Sequence, residues 1–338
     1  MYWRKLWASI WVSKSTGIDV LFRMEGRRLK GRGAGYWGRL GVQIWKYRQI
    51  YIILFLPILW YAIFAYLPMG GLSLAFKSFK ANLGILRSPF NGFENYTLVF
   101  RDIMFFRSIQ KTISINLLRM VFVFPFPILF AIMLNELHLP RYKRFIQTVM
   151  TFPNFLSWII VSSILINVLS FDGMVNGFLS MLGLDTINFL GNEKLFQPML
   201  YITDIWKSSG WSTIIYLASI AGIDQEQYEA AEIDGASRFQ RITHITFPNL
   251  LPIIIIMFIL AMGNLMTAGF DQIFNLSNAA VKNVSETLDM YIYRITFLIA
   301  PNFGFSAAVA LFRSIVNMFL LLLADRGAKL MGGSGLFA

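Results

Sequence analysis

Residues 222–248 read GIDQEQYEAAEIDGASRFQRITHITFP and hold the densest set of charges with a definable task. Five carboxylates, Asp224, Glu226, Glu229, Glu232 and Asp234, stand against Arg238 and Arg241. Covalent chemistry is poorly served elsewhere. There is no cysteine and there are two histidines, so thiolate chemistry is excluded and a catalytic zinc site is disfavoured. No GxSxG, HExxH or GxxxxGK[ST] pattern occurs, so the chain is no ATPase by the phosphate-loop route. What remains for these acids is electrostatic docking.

The elements that would present them are short helices. Asp224 is a suitable N-cap, acids crowd the first turns where the helix dipole favours them, and Ala230 and Ala231 keep one face thin. Gly235 ends that helix or allows close approach of another backbone. A second helix is expected from about Ser237 to Thr246, before Pro248 and Pro252 turn the chain back. The product is a helix-turn-helix knob suited to a cleft.

The rest of the chain explains where the knob is anchored. Of 338 residues 56% are hydrophobic and 14% charged, against about 25% charged in soluble domains. Apolar stretches near 20 residues recur with short polar breaks, so the fold class is all-α integral membrane. Six spans are expected: 50–72, 112–134 with a kink at Pro125 and Pro127, 149–169, 198–221, 251–274 and 306–324. The first follows a basic segment too long for a cleavable signal. Segments assigned inside carry eighteen Lys and Arg and those outside nine, which places both termini in the cytoplasm by the positive-inside rule. The partition is a basic segment 1–49, a membrane domain 50–325 containing the loop 222–250, and a tail 326–338. In the first segment Trp3, Trp7, Ile10 and Trp11 fit either an interfacial helix or a basic tail. The net charge of +12 sits mostly beside the spans, where anionic lipid accounts for it better than nucleic acid does.

Polar and aromatic side chains inside spans are costly against lipid and tolerable in an aqueous path. Asn154, Ser157, Trp158, Asn167, Trp206, Asn264, Asp271 and Gln272 are therefore candidates to meet a polar cargo, with interhelical hydrogen bonding the equal alternative for each. Arg313 needs a carboxylate such as Asp271 or Asp204, an edge to snorkel to, or an acidic cargo. Gly263 and Gly269 indicate close helix packing.

The loop also resembles a known motif. Glu229-Ala230-Ala231, Gly235, Ile245 and Pro248 follow the EAA signature of permease subunits of type I, binding-protein-dependent bacterial ABC importers. Asp234-Gly235-Ala236 and Pro252 fit the carbohydrate-uptake branch. Leu56-Pro57, Tyr66-Leu67-Pro68-Met69, the run 268–276 (AGFDQIFNL) and Leu311-Phe312-Arg313-Ser314 look like the LplB/MalF-like subfamily. The resemblance implies a coupling helix in which Glu229 pairs with a base of an ATPase subunit. Ala230 and Ala231 would let that helix lie close, and Gly235 would permit the turn. It implies a non-enzymatic transport subunit with no cofactor of its own, ATP and Mg being held by two partner ATPase subunits. A second permease subunit, more usually a different one, and a periplasmic or lipid-anchored solute-binding protein complete the assembly. The cargo implied is an oligo- or polysaccharide, and the basic segment 77–111 with Arg313 tilts it toward an acidic one such as alginate. An ion-coupled secondary transporter is the alternative; it would lack the EAA loop.

Overall fold

The computed structural model describes residues 43–299, 301–333 and 335–337. The tryptophan-rich stretch 3–11 lies outside the described residues. The chain divides into two compact units, Met1–Gly70 and Gly71–Ala338.

The first unit contains α1, Arg48–Tyr61, which buries none of its residues. Its apolar surface is exposed all round, Leu56 at 73% for example, as suits a helix solvated by hydrocarbon. Helical turns carry this span on to Phe76.

The second unit is built of helices, with no strand among its described residues beyond an isolated bridge from Lys77 to Phe90. After α2 (Glu94–Arg101), Asp102 caps α3 (Ile103–Phe122) by accepting from the Met104 amide. The helical hydrogen bonding is interrupted at Val123–Phe124 and resumes in α4 (Pro125–Asn135), at the place where Pro125 is expected to disturb the span. α5 (Pro140–Thr151) is a separate basic helix with no buried residue. The third span therefore starts later than residue 149. Pro153 closes a single 3-10 turn, and Ser157 caps α6, Trp158–Leu169. α7 (Met174–Met181) extends that span to Met181.

Then come α8 (Glu193–Ala221), the knob helices α9 (Gln225–Ile233) and α10 (Arg238–Arg241), and α11 (Phe247–Met262). α12 (Phe270–Leu276), α13 (Leu288–Tyr293) and α14 (Phe303–Leu330) complete the unit. Pro248 and Pro252 do not turn the chain, contrary to expectation. The helical run is continuous from Arg238 to Met262, because Pro248 lies in the first turn of α11 and the preceding turn, Ile242–Thr246, widens to a π-helix. A π-turn accommodates an amide that proline cannot supply.

Five helical stretches are long and apolar enough to span a bilayer among the described residues. α8 is the sixth crossing, and its 29 residues reach about 43 Å. It is too polar to qualify by composition because it turns Lys207, Ser209 and Thr213 inward, where they are buried. Close crossings rest on small residues, as expected where lipid removes the hydrophobic drive between helices. A Cβ on Gly210 would lie 1.9 Å from the Met150 carbonyl oxygen of α5, and one on Gly263 would lie 2.5 Å from Leu321 of α14.

Candidate functional site

The fifth span is not one helix. α11 stops at Met262, and the chain passes through tight turns, in which the amides of Asn264, Leu265 and Thr267 donate three residues back, before α12 begins. Gly269 makes the turn possible at φ +74°, with the Arg119 guanidinium packed against it. Non-helical backbone at membrane depth must find partners inside the protein. Here Asn116 donates to the carbonyls of Leu265 (2.7 Å) and Thr267 (3.1 Å). Arg119 Nη1 donates to the Ala268 carbonyl at 2.6 Å. The amide of Met266 donates to Asn317 (3.0 Å) and that of Ala268 to Asp289 (3.3 Å). Met266 and Ala268 meanwhile anchor two separate hydrophobic clusters, one with Phe105, Leu288 and Phe305 and the other with Ile115, Leu200 and Ile273.

Around this break lies a cavity of about 380 Å³. α3 contributes Asn116, Arg119 and Met120, and the junction after it Val123 and Phe124; α8 contributes Asp204, Ser208, Ser209, Ser212 and Tyr216. α11 and the break add Met257, Leu260, Ala261, Asn264 and Thr267. Hydroxyls and amides alternate with apolar faces, and one ion pair, Arg119 Nε to Asp204 Oδ2 at 3.4 Å, stands in the wall.

The structure distributes the path residues expected from sequence unevenly. Asn264 is on the cavity wall. Gln272 lies behind it, accepting from Arg119 at 2.5 Å and donating to Leu200 O and Thr203 Oγ1. Asn154 and Trp158 gather at buried Lys207, whose Nζ donates to the Asn154 carbonyl at 3.0 Å and sits 5.5 Å from the Trp158 ring. Ser157 is the cap of α6. Asn167 donates to Ser163 on its own helix, Trp206 is half exposed, and Asp271 is exposed in the first turn of α12. Arg313 pairs with Asp289 rather than with Asp271 or Asp204. Asp204 instead belongs to Arg119, a residue the sequence reading passed over. An arginine within the span 112–134 is costly in hydrocarbon and was itself the available signal.

At the other end of α8 the knob is as anticipated in outline. Asp224 caps α9 by accepting from the Glu226 amide. The helix closes in a Schellman turn, in which Gly235, at φ +78°, donates to Glu232 O and Ala236 donates to Ala231 O. Ser237 and Gln240 form a reciprocal capping box on α10. Arg241 pairs with Glu232 at 3.0 Å, and Tyr228 bonds Thr246 at 2.9 Å. Glu229 and Glu232, with Glu136, His138 and Arg241, line a second cavity of about 320 Å³. Ala230, Asp234, Gly235 and Pro248 are exposed and Ala231 is partly covered. Ile233 and Phe239 present apolar surface at 87% and 74% exposure.

Residues 123–329 match the family described as binding-protein-dependent transport system inner membrane component. The chain belongs to this family of permeases. Over 327 residues it is 35% identical to the polygalacturonan/rhamnogalacturonan transport system permease protein YteP of Bacillus subtilis, covering 96% of this chain and 98% of that one. It is 37% identical to Protein LplB of the same organism, over 91% of this chain and 95% of that one. Among solved structures it resembles a chain of a bacterial ABC transporter that imports the acidic polysaccharide alginate, with TM-score 0.78 and 34% identity. That match covers 86% of this permease and 98% of the other. A second structure, of the alginate transporter with an alginate pentasaccharide-bound periplasmic protein, gives TM-score 0.79 at 33% identity, covering 88% and 100%.

Proposed function

We propose that this permease is one membrane half of an ATP-driven importer for an acidic oligo- or polysaccharide. One observation carries the coupling: the helix entering the knob, α8, and the helix leaving it, α11, both run on to line the cavity and together supply eight of its sixteen lining residues. A force applied to α9 reaches α8 through the short turn 222–224 and α11 through the turn 234–237 and the helical run that follows it. The partners that apply it are two ATPase subunits, with ATP and Mg bound there, whose closure would carry the knob with it as a rigid body. A second permease subunit supplies the other half of the path, and a solute-binding protein delivers the cargo at the outer mouth.

In this reading Glu229 meets a base of the ATPase, Ala230, Ala231 and Asp234 form the contact face, Gly235 makes the turn between the knob's two helices, and Pro248 sits where the knob runs on into the span. The exposed Ile233 and Phe239 suit the same interface. The segment 1–49 and the tail 326–338 then lie in the cytoplasm, on either side of the membrane domain 50–325. The sugar assignment leans on the named cargoes of the relatives and on a cavity that mixes hydroxyls, amides and one guanidinium.

A broken span also occurs in ion-coupled secondary transporters. The acidic knob has no task there. The two readings separate in liposomes containing the copurified ATPase, with internal ATP and no ion gradient: uptake proceeds in an importer and fails in a gradient-driven carrier. Glu229→Ala and Gly235→Asp are expected to abolish that uptake; a Cβ at Gly235 meets no atom within 4 Å but strains the left-handed backbone at φ +78°, so Glu229→Ala, on an exposed residue, is the variant that decides if Gly235→Asp does not fold. Full uptake by both variants would refute the coupling role. The cysteine-free chain also makes Ser237→Cys a clean topology probe, expected to react with an impermeant thiol reagent only after the membrane is opened.

A further inference from the structure

We infer that Arg119 is the group that reads substrate charge in the cavity, and that Asp204 is a resident carboxylate which the cargo's own carboxylate displaces. This rests on the acidic-saccharide reading above and adds to it a named recognition element.

The guanidinium is held in place before any cargo arrives. Its Nη1 donates to the Ala268 carbonyl at 2.6 Å and lies 3.5 Å from Asn116 Oδ1, and its Nη2 donates to Gln272 at 2.5 Å. Gln272 is in turn fixed by Leu200 O and Thr203. The third nitrogen is different. Nε is buried and forms no hydrogen bond, although Asp204 Oδ2 stands 3.4 Å away. The ion pair neutralises charge without a directional bond, so a carboxylate that approaches Nε directly gains a charge-assisted hydrogen bond that Asp204 does not make.

Asp204 is equipped to let go. Its Oδ1 accepts from Ser208 at 2.9 Å, and Lys207, three positions along the same helix face, feels its charge. Losing Arg119 therefore leaves Asp204 with the Ser208 donor and a partly exposed side chain, so its charge is not stranded in a closed interior. The other intramembrane pair shows the contrast. Arg313 is directly hydrogen-bonded to Asp289, Asp289 also takes the Ala268 amide, and neither residue is on the cavity wall. That pair is tied into the fold.

The remaining walls suit a sugar acid. Asn116, Ser212, Asn264 and Thr267 can bond ring hydroxyls, while Met120, Phe124 and Leu260 offer apolar faces to the ring. The volume of about 380 Å³ falls in the range of small-molecule sites.

The test uses the complete transporter in liposomes with its binding protein, and two probe pairs: trigalacturonate and trimannuronate, each beside its uncharged methyl ester. The binding protein is the same in every sample, so a changed acid-to-ester ratio belongs to the permease. Asp204→Asn keeps a hydrogen bond with Ser208 and removes the competing charge. It is expected to lower KM for the acid at least threefold relative to the ester, and to lower kcat for the acid through slower release. Arg119→Lys keeps the charge and loses the fork, and is expected to cost about tenfold in kcat/KM for the acid alone. Because Arg119 also clamps the break, Asp204→Asn decides the matter if that variant does not fold. An Asp204→Asn protein with an unchanged acid-to-ester ratio overturns the inference while wild-type uptake of the acid leaves the acidic-saccharide reading standing. A wild type that takes up neutral saccharides only overturns both.

Discussion

The carbonyls of Leu265, Thr267 and Ala268 are taken by Asn116 and Arg119, residues about 150 positions earlier in the chain. In the knob, by contrast, side-chain bonds join residues no more than 22 positions apart, the longest being Asn249 to Gln227. The break is held by hydrogen bonds from three other helices; the knob's side-chain hydrogen bonds stay local, and its base packs through Ile223, Tyr228 and Ile245 against α4 and α8. A self-contained unit keeps its shape while its surroundings move, as a lever arm must. A segment held by its neighbours reports their movement, as befits the wall of a cavity that opens and closes. The apolar surface follows the same division: Met266 and Ala268 are buried in two clusters, whereas Ile233 and Phe239 stand exposed on the knob.

This contrast can be broken by substitution. Asn116→Ala removes two interhelical hydrogen bonds and is expected to destabilise the membrane domain by about 1–3 kcal/mol, since such bonds between membrane helices are worth about 0.6–1.7 kcal/mol each. A fall in the thermal midpoint of the detergent-purified protein measures it. Tyr228→Phe strands the hydroxyl of buried Thr246 and is expected to cost about 1 kcal/mol. Its effect appears as faster hydrogen exchange over 225–246 with little change in the midpoint. Ser237→Ala removes an exposed cap and is expected to cost about 0.5–1 kcal/mol, read as exchange confined to 237–241. Should Ser237→Ala lower the midpoint as much as Asn116→Ala does, the knob is not an independent unit and the comparison fails.

The same difference in range explains what was legible in the sequence. Asp224 and Gly235 sit at fixed short offsets from the helix they bound, so the outline of the knob is legible in the sequence, whereas the Ser237–Gln240 box emerges only in the structure. Pro125 similarly marks the interruption between α3 and α4. The break after Met262 could not be drawn, because a run such as 251–274 is apolar enough to read as one helix. Its interruption depends on donors and acceptors from α3, α13 and α14. The pairing of Arg313 failed for the same reason: several carboxylates were available along the chain, and only the packing of α13 against α14 selects Asp289. Lys207 shows the limit most sharply. Its partner is a backbone carbonyl 53 residues away, and a carbonyl has no signature in a sequence.

The polarity of α8 has a consequence for how the protein is made. A helix is released from the insertion machinery into lipid according to its own transfer free energy. Asp204 and Lys207 near its middle each oppose that step by about 2.5–3.5 kcal/mol. α8 is therefore expected to leave the translocon only with an earlier helix already alongside to receive it. α3, which carries Arg119, is synthesised first.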